Sequence, residues 1–410
     1  MAEFDVVIVG GGLVGSSLAS ALRGLPLRVA LIESAPPCAP NQPGPDERVI
    51  ALSLGSRRIF GGLGLWPAMA PVAEPIQRVH ISDRGHCGFS RLDRREEAVE
   101  ALGYVTPARA IDCAIQAALE RAPTLQILRP ARLLDHQVRA EHVELDLQLG
   151  DERRRVETRL LVAADGGDSS VRERLGLQVD GHDYGQDAVI TTVTADRPRP
   201  GQAFERFTDT GPLAMLPMPG GRYSVVWSCR PAQTTELLSL TDDDFIARLQ
   251  ARFGQRLGRL SAPSPRQAYP LKLKLVRETI HERLVLIGNA AHTLHPVAGQ
   301  GFNLGLRDVA ALAEALAEAA RHGGDPGASG TLAEYRRWRG RDQADTARLT
   351  DALARLFVVP WRPVRIARNL GLLGLDLVPA ARHRLARRFM GLEGSLPRLA
   401  RGLPLEARHV

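Results

Sequence analysis

Apolar residues follow two rhythms along this chain. DVVIVG, at 5–10, is a short unbroken apolar run of the kind used by a strand buried on both faces. A glycine cluster follows, then LVGSSLASALRGL, in which apolar and small residues return at helical spacing. RVALIE, at 28–33, is a second buried strand, so the chain opens on a predicted βαβ unit. SAPPCAPNQPGPDER, at 34–48, is rich in proline and polar groups and reads as a loop. The buried-strand character returns in RLLVAADG near 160 and in RLVLIG at 283–288, and RDVAALAEALAEAA from 307 reads as a helix. Between 181 and about 275 the rhythm changes. AVITTVTA, FERFT, AMLPM and YSVVWS are short β-rich runs separated by Pro and Gly turns, which predicts an antiparallel sheet. From about 343 the tail is helical and arginine-rich.

With 410 residues the chain exceeds a usual single core. The pattern predicts an α/β fold in three parts. A discontinuous Rossmann-like nucleotide domain takes 1–75, 100–180 and 276–342; an interleaved antiparallel-sheet substrate domain takes 76–99 and 181–275; a basic helical segment takes 343–410. A hydrophobic fraction of 44% with 24% charged residues excludes a disordered chain. The net charge of +7 is nearly all arginine, since lysine occurs only at Lys272 and Lys274. No aromatic–basic stacking motif points to nucleic acid. The cysteines, Cys38, Cys87, Cys113 and Cys229, are widely spaced, which argues against a disulfide scaffold or a zinc site and suits a reduced cytoplasm; no metal is expected. Neither a signal peptide nor an apolar run of about 20 residues is apparent, so the expected location is cytoplasmic or peripheral on a membrane.

Gly10, Gly12 and Gly15 form G-x-G-x-x-G between a strand and a helix. The first glycine allows the tight turn, the second the approach of a pyrophosphate, the third the packing of helix on strand. The helix N-terminus then offers unpaired N–H groups to phosphate. Glu33 ends the second strand, where a ribose diol would be bound. Strand, helix, second strand and acid all fall in place, which defines a dinucleotide site but does not separate NAD from FAD.

Two further segments bear on that choice. In LVAADGGDSSVRERLG, 161–176, Asp165 and Gly166 end a strand. In RLVLIGNAAHTLHPVAGQGFNLGLRDVAAL, 283–312, strand, glycine-rich turn and helix recur, with Pro296, Gly299, Gln300, Gly301 and Asn303 crowding the helix start. Together with the first motif these resemble the group A flavoprotein monooxygenases, the family of p-hydroxybenzoate hydroxylase, across nearly the whole chain. The resemblance implies FAD as cofactor, NAD(P)H and dioxygen as co-substrates, and a C4a-hydroperoxide on the flavin as oxygen donor. It places Asp165 and Gly166 near the FAD, with a second role toward NAD(P)H. It places Gly288 through Asn303 against ribityl chain, pyrophosphate and isoalloxazine ring, and Arg48 and Arg109 as flavin contacts. Where the family has Gly-Asp, this chain has Gly288-Asn289; an amide still hydrogen-bonds a ribityl hydroxyl. With a single G-x-G-x-x-G, the nicotinamide would dock without a Rossmann domain of its own.

DERVIALSLGSRRIFGGLGLW at 46–66, DYGQDAVI at 183–190 and FERFTDTGPLAMLPM at 204–218 resemble the ubiquinone-biosynthesis hydroxylases. GN at 288–289 and LHP at 294–296 are similar to the 2-polyprenyl-6-methoxyphenol hydroxylase branch, which implies a hydrophobic polyprenyl-phenol substrate oxidised at ring position 4. No catalytic base is identified. His292 and His295 are candidates by position, and a packed, hydrogen-bonded histidine is the plainer reading of each. The last fifty residues hold ten arginines against Asp376, Glu393 and Glu406. They read either as a solvated basic face or as a surface for anionic lipid or for other enzymes of the pathway. A flavin disulfide reductase is a poor reading, since Cys38 lacks a nearby partner; a sister hydroxylase of the same pathway acting at another ring position, a flavin-dependent prenyl reductase and a non-catalytic flavin-binding scaffold stay as alternatives.

Overall fold

The computed structural model describes residues 2–36, 48–122, 124–359 and 361–405. Cys38, most of the proline-rich loop and Glu406 lie outside the described residues.

Two large sheets organise the chain. In the first, strands run in the order Ile280–His281, Leu284–Leu286, Glu152–Ala163, Phe4–Val9, Val29–Ile32, Leu125–Leu128. From Leu284–Leu286 onward the pairings are parallel. Such strands are apolar on both sides because both faces of the sheet are covered. Val6 and Ile8 pack toward helices Leu13–Leu22, Ala108–Leu119 and Gln300–Arg321. Val7 and Val9 pack the other way, against Leu133, Leu145 and Leu147. That second cover is antiparallel: Ala131–Val138 and Val143–Leu149 extend the long strand Glu152–Ala163.

The second sheet runs His292–Thr293, Gln267–Val276, Val179–Ala195, Arg222–Cys229, Gly211–Met218, Gln202–Thr208, Arg78–Asp83, Phe89–Asp93. It is antiparallel except where Gln202–Thr208 lies parallel to Arg78–Asp83. Alternation divides its residues cleanly. Val189, Phe204, Met215 and Val225 face a core shared with helix Asp242–Phe253. Ala188, Ala203, Glu205, Ala214 and Val226 face a cavity on the opposite side. The helix expected from 307 begins at Gln300 and ends at Arg321. A continuous helix, Ser329–Leu356, runs through position 343, so the tail's helical character starts earlier than its arginine pattern showed. Helices Arg362–Leu377 and Pro379–Phe389 follow.

The C-terminal helices are fastened to the second sheet by a buried knot. Arg368 donates from Nε to Asp83 Oδ2 at 2.8 Å, and Asn369 Nδ2 donates to the same oxygen at 3.0 Å. Arg368, counted from sequence among the basic surface groups, is therefore an internal ion-pair partner.

Candidate functional site

The carboxyl ends of the parallel strands meet at one edge, where ligands bind in open α/β sheets. Gly10 N–H donates to Ile32 O, Ala164 N–H to Val9 O and Ile287 N–H to Ala163 O, all within 2.8–3.0 Å. The two glycine-rich turns, Glu33 and Asp165 are thus brought together. Gly10 has φ +105°, and a Cβ at Gly15 would lie 2.0 Å from Gly10 O, so turn and helix touch with no room for a side chain. Gly12 is different: a Cβ there meets nothing within 4 Å, and the helix it caps has no side-chain cap. Its first-turn N–H groups therefore face open space.

Glu33 Oε2 accepts from Gly11 N–H at 2.7 Å, and Oε1 from Ala35 N–H at 2.6 Å and the Ser34 hydroxyl at 3.4 Å. A carboxylate has roughly four lone-pair positions, so it shapes the loop and still has acceptor capacity for a diol. Asp165 Oδ2 accepts from Ser170 N–H at 2.8 Å and Val171 N–H at 3.3 Å, while Oδ1 is buried without a partner. A buried orphan acceptor is costly unless a ligand hydroxyl or water satisfies it. The uncapped helix and this orphan fit a bound dinucleotide. Arg109 stands exposed in the first turn of helix Ala108–Leu119 and is not among the residues lining the cavity. Arg48 lies over the Tyr269 ring, 5.3 Å from its centroid, at the cavity wall.

That cavity has a volume of about 590 Å³. Its floor is the turn Pro296–Gly301 with Asn289, its wall the second sheet, and its far end Leu372, Leu375 and Phe389 of the C-terminal helices. Ala298 holds φ +56° beside Gly299 at φ +62°; a non-glycine residue in the left-handed region marks backbone strain, often found at functional turns. Asn303 is fully engaged by protein. It accepts from Ser53 N–H and Ser56 Oγ–H and donates to Ala51 O and Gly299 O, all within 2.6–2.8 Å. It holds the floor in place and has no hydrogen-bonding position left over for a ligand.

Neither candidate histidine lines the cavity. His292 gives its Nε2–H to Asp308 Oδ2 at 2.6 Å, and the same oxygen accepts Gly288 N–H at 3.1 Å. Asp308 Oδ1 takes Arg339 Nε and Gln343 Nε2, both at 2.8 Å. Burial alone would raise the Asp308 pKa, but His292 and Arg339 outweigh it and hold the carboxylate far below its ordinary range. His295 is fully buried; its Nδ1 accepts Val297 N–H at 3.2 Å, and burial pushes its pKa down to about 4. Both are buried and hydrogen-bonded within the protein at the 288–299 turn.

Glu205, the cavity's one carboxyl among the described residues, carries no motif that marks it in the sequence. Burial pushes its pKa up to about 7. The alternation in FERFT puts it on the face opposite Phe204, but only the three-dimensional cover over that face shows it to be internal.

Fold and glycine-lined edge together define an α/β protein built to hold a dinucleotide. Residues 3–347 match the family of the FAD binding domain. Ubiquinone hydroxylase UbiL of Rhodospirillum rubrum is 40% identical over 404 residues, covering 98% of this chain and 93% of that protein. The 3-demethoxyubiquinol 3-hydroxylase of Escherichia coli is 31% identical, covering 95% of this chain and 98% of that one. Among solved structures, p-nitrophenol 4-monooxygenase PnpA from Pseudomonas putida shares the fold with a TM-score of 0.76 at 20% identity, covering 95% of this chain and 98% of that chain. The chain belongs to the ubiquinone-biosynthesis hydroxylase family of FAD-dependent monooxygenases.

Proposed function

We propose that this enzyme hydroxylates a polyprenylated phenol, 2-polyprenyl-6-methoxyphenol, at ring position 4, using NAD(P)H and dioxygen. The observation that carries this reading is the cavity. It is apolar, runs from the cofactor-side turn Pro296–Gly301 to the C-terminal helices, and has the volume of a small-molecule site. Bound FAD supplies electron transfer from the nicotinamide and activation of dioxygen. Gly12 and the open helix start would take the pyrophosphate, and Glu33 a ribose. Asp165 Oδ1 would take a cofactor hydroxyl, and Asn289 a ribityl hydroxyl. The apolar wall holds the ring and excludes water; position 4 is para to the phenol hydroxyl and hence electron-rich.

The test uses FAD-loaded protein, NAD(P)H, isotopic dioxygen and a short-chain 2-prenyl-6-methoxyphenol. A product one labelled oxygen heavier, substituted at position 4, is the expected result. Label at another carbon would transfer the assignment to a sister reaction on the same ring. A saturated prenyl chain without label would make the enzyme a reductase.

No helix among the described residues is long and apolar enough to cross a membrane. We place the enzyme in the cytoplasm, peripheral on the membrane's inner face. Ile366, Leu370 and Leu377 are 61–78% exposed on one face of helix Arg362–Leu377, with Trp361 just before it, while Leu372 and Leu375 of the same helix line the cavity. A helix apolar on both faces suits a lid between a lipid surface and a lipid-binding cavity. The double substitution Ile366→Glu, Leu370→Glu is expected to lower binding to phosphatidylglycerol-containing vesicles about a hundredfold or more, by removing apolar insertion worth roughly 1.5–3 kcal/mol per side chain. Unchanged co-sedimentation would remove this face from the membrane contact. The same surface also suits docking of other enzymes of the pathway.

A further inference from the structure

Glu205 sits in the middle of strand Gln202–Thr208, where its neighbours across the sheet are Ile81 on one side and Ala214 on the other. Both are apolar. Its side chain is part-exposed, and the surface it exposes belongs to the cavity. It makes no hydrogen bond or ion pair to any described residue. The only other ionisable side chains lining the cavity, among the described residues, are Arg48 and Tyr269, which lie against each other. Asp83, at the end of the neighbouring strand, is taken by Arg368 and Asn369. His80 and Arg206 occupy alternate positions on the reverse side of the sheet. The C-terminal helices contribute only apolar groups, among them Leu372, Leu375 and Phe389. A carboxyl left unpartnered in such surroundings is expensive, and groups of this kind concentrate where a ligand completes the site.

Resting on the hydroxylase reading above, we propose that Glu205 is the catalytic residue that binds the phenolic hydroxyl of the substrate and accepts its proton. The phenol O–H bond breaks as the proton passes to a Glu205 carboxylate oxygen, and the released electron pair enriches the carbon para to the ring oxygen. That carbon forms a C–O bond to one atom of dioxygen. The other atom leaves as water, with two electrons from the hydride donor. The ring carbon then loses its hydrogen as a proton, which restores aromaticity, and Glu205 returns its proton to the ring oxygen. The burial that pushes this carboxyl up to about 7 matches it to proton exchange near neutral pH.

The experiment compares the affinities of FAD-loaded wild type, Glu205→Gln and Glu205→Leu for 2-methoxyphenol and for its O-methyl ether, read by perturbation of the flavin spectrum from pH 5.5 to 8.5, alongside product formation. Wild type should prefer the phenol about tenfold or more above pH 7, as a hydrogen bond to a charged acceptor allows, with the preference shrinking as pH falls. Both variants should lose the preference and its pH dependence while binding the ether and FAD as wild type does. Their hydroxylation should fall about 100-fold, the lower end for a lost general base. Glu205→Asp should recover part of the preference. A variant that keeps the wild-type preference and pH profile overturns the proposal, whatever its turnover. A Glu205-dependent preference with no oxygenated product from any phenol would overturn the hydroxylase reading and with it the proton-transfer step. Normal hydroxylation by Glu205→Gln would overturn the role of Glu205 alone.

Discussion

Asp308→Ala is expected to destabilise the protein by about 3–5 kcal/mol, the cost of leaving a buried charge without its partner. Asp308 is wholly buried and holds Gly288, His292, Arg339 and Gln343 at once. Its removal strands the Arg339 guanidinium, 4% exposed, with only Asp342 as an acidic partner, and frees the turn that carries the cavity floor. Urea unfolding measures the loss. Glu318→Ala, which removes the exposed i,i+3 pair with Arg321, should change stability by no more than about 0.5 kcal/mol. The sign with pH follows from the depressed carboxyl. A group whose pKa is lower folded than unfolded stabilises the fold fully above its unfolded value of about 3.9 and loses that contribution as pH falls. Wild type and Asp308→Ala should therefore differ most near neutrality and converge in strong acid. Equal stability of the two at pH 7 would show that the network carries no net weight.

Gly15→Ala should abolish FAD binding and weaken the fold together, whereas Gly12→Ala should affect the cofactor alone. At Gly15 the new methyl would stand 2.0 Å from Gly10 O, so helix and turn must separate. At Gly12 the methyl meets no protein atom within 4 Å and occupies the space through which a pyrophosphate approaches. Apo Gly12→Ala should melt as wild type does, while its FAD affinity drops about tenfold or more, 1.4 kcal/mol per decade. It should also lose the part of the thermal stabilisation that added FAD confers on wild type. Flavin absorbance of the purified proteins and melting with and without FAD check both. A Gly12→Ala protein that binds FAD normally would place the pyrophosphate elsewhere.

The nucleotide half of the fold was legible in the sequence because its signals are local. Parallel strands covered on both faces must be apolar throughout, so DVVIVG, RVALIE and RLVLIG stand out. The turns that follow them need glycines at fixed spacing for reasons of backbone geometry. Other features depend on segments distant in sequence. Arg78–Asp83 pairs with Gln202–Thr208 across more than a hundred residues, and that pairing builds the cavity wall. Arg368 reads as one more solvated arginine until Asp83 is folded beneath it. His292 and His295 stand beside the flavin motif in sequence, yet packing turns them to Asp308 and to the turn's own backbone.

Glu205 shows the division most plainly. Strand alternation determines that it lies on the face opposite Phe204, and on a one-sided sheet that face would be water. Only the tertiary structure, by closing the 296–301 turn and the C-terminal helices over it, makes the face an interior, and with it a carboxylate that would have been an ordinary surface charge is withdrawn from water and raised toward neutral pH.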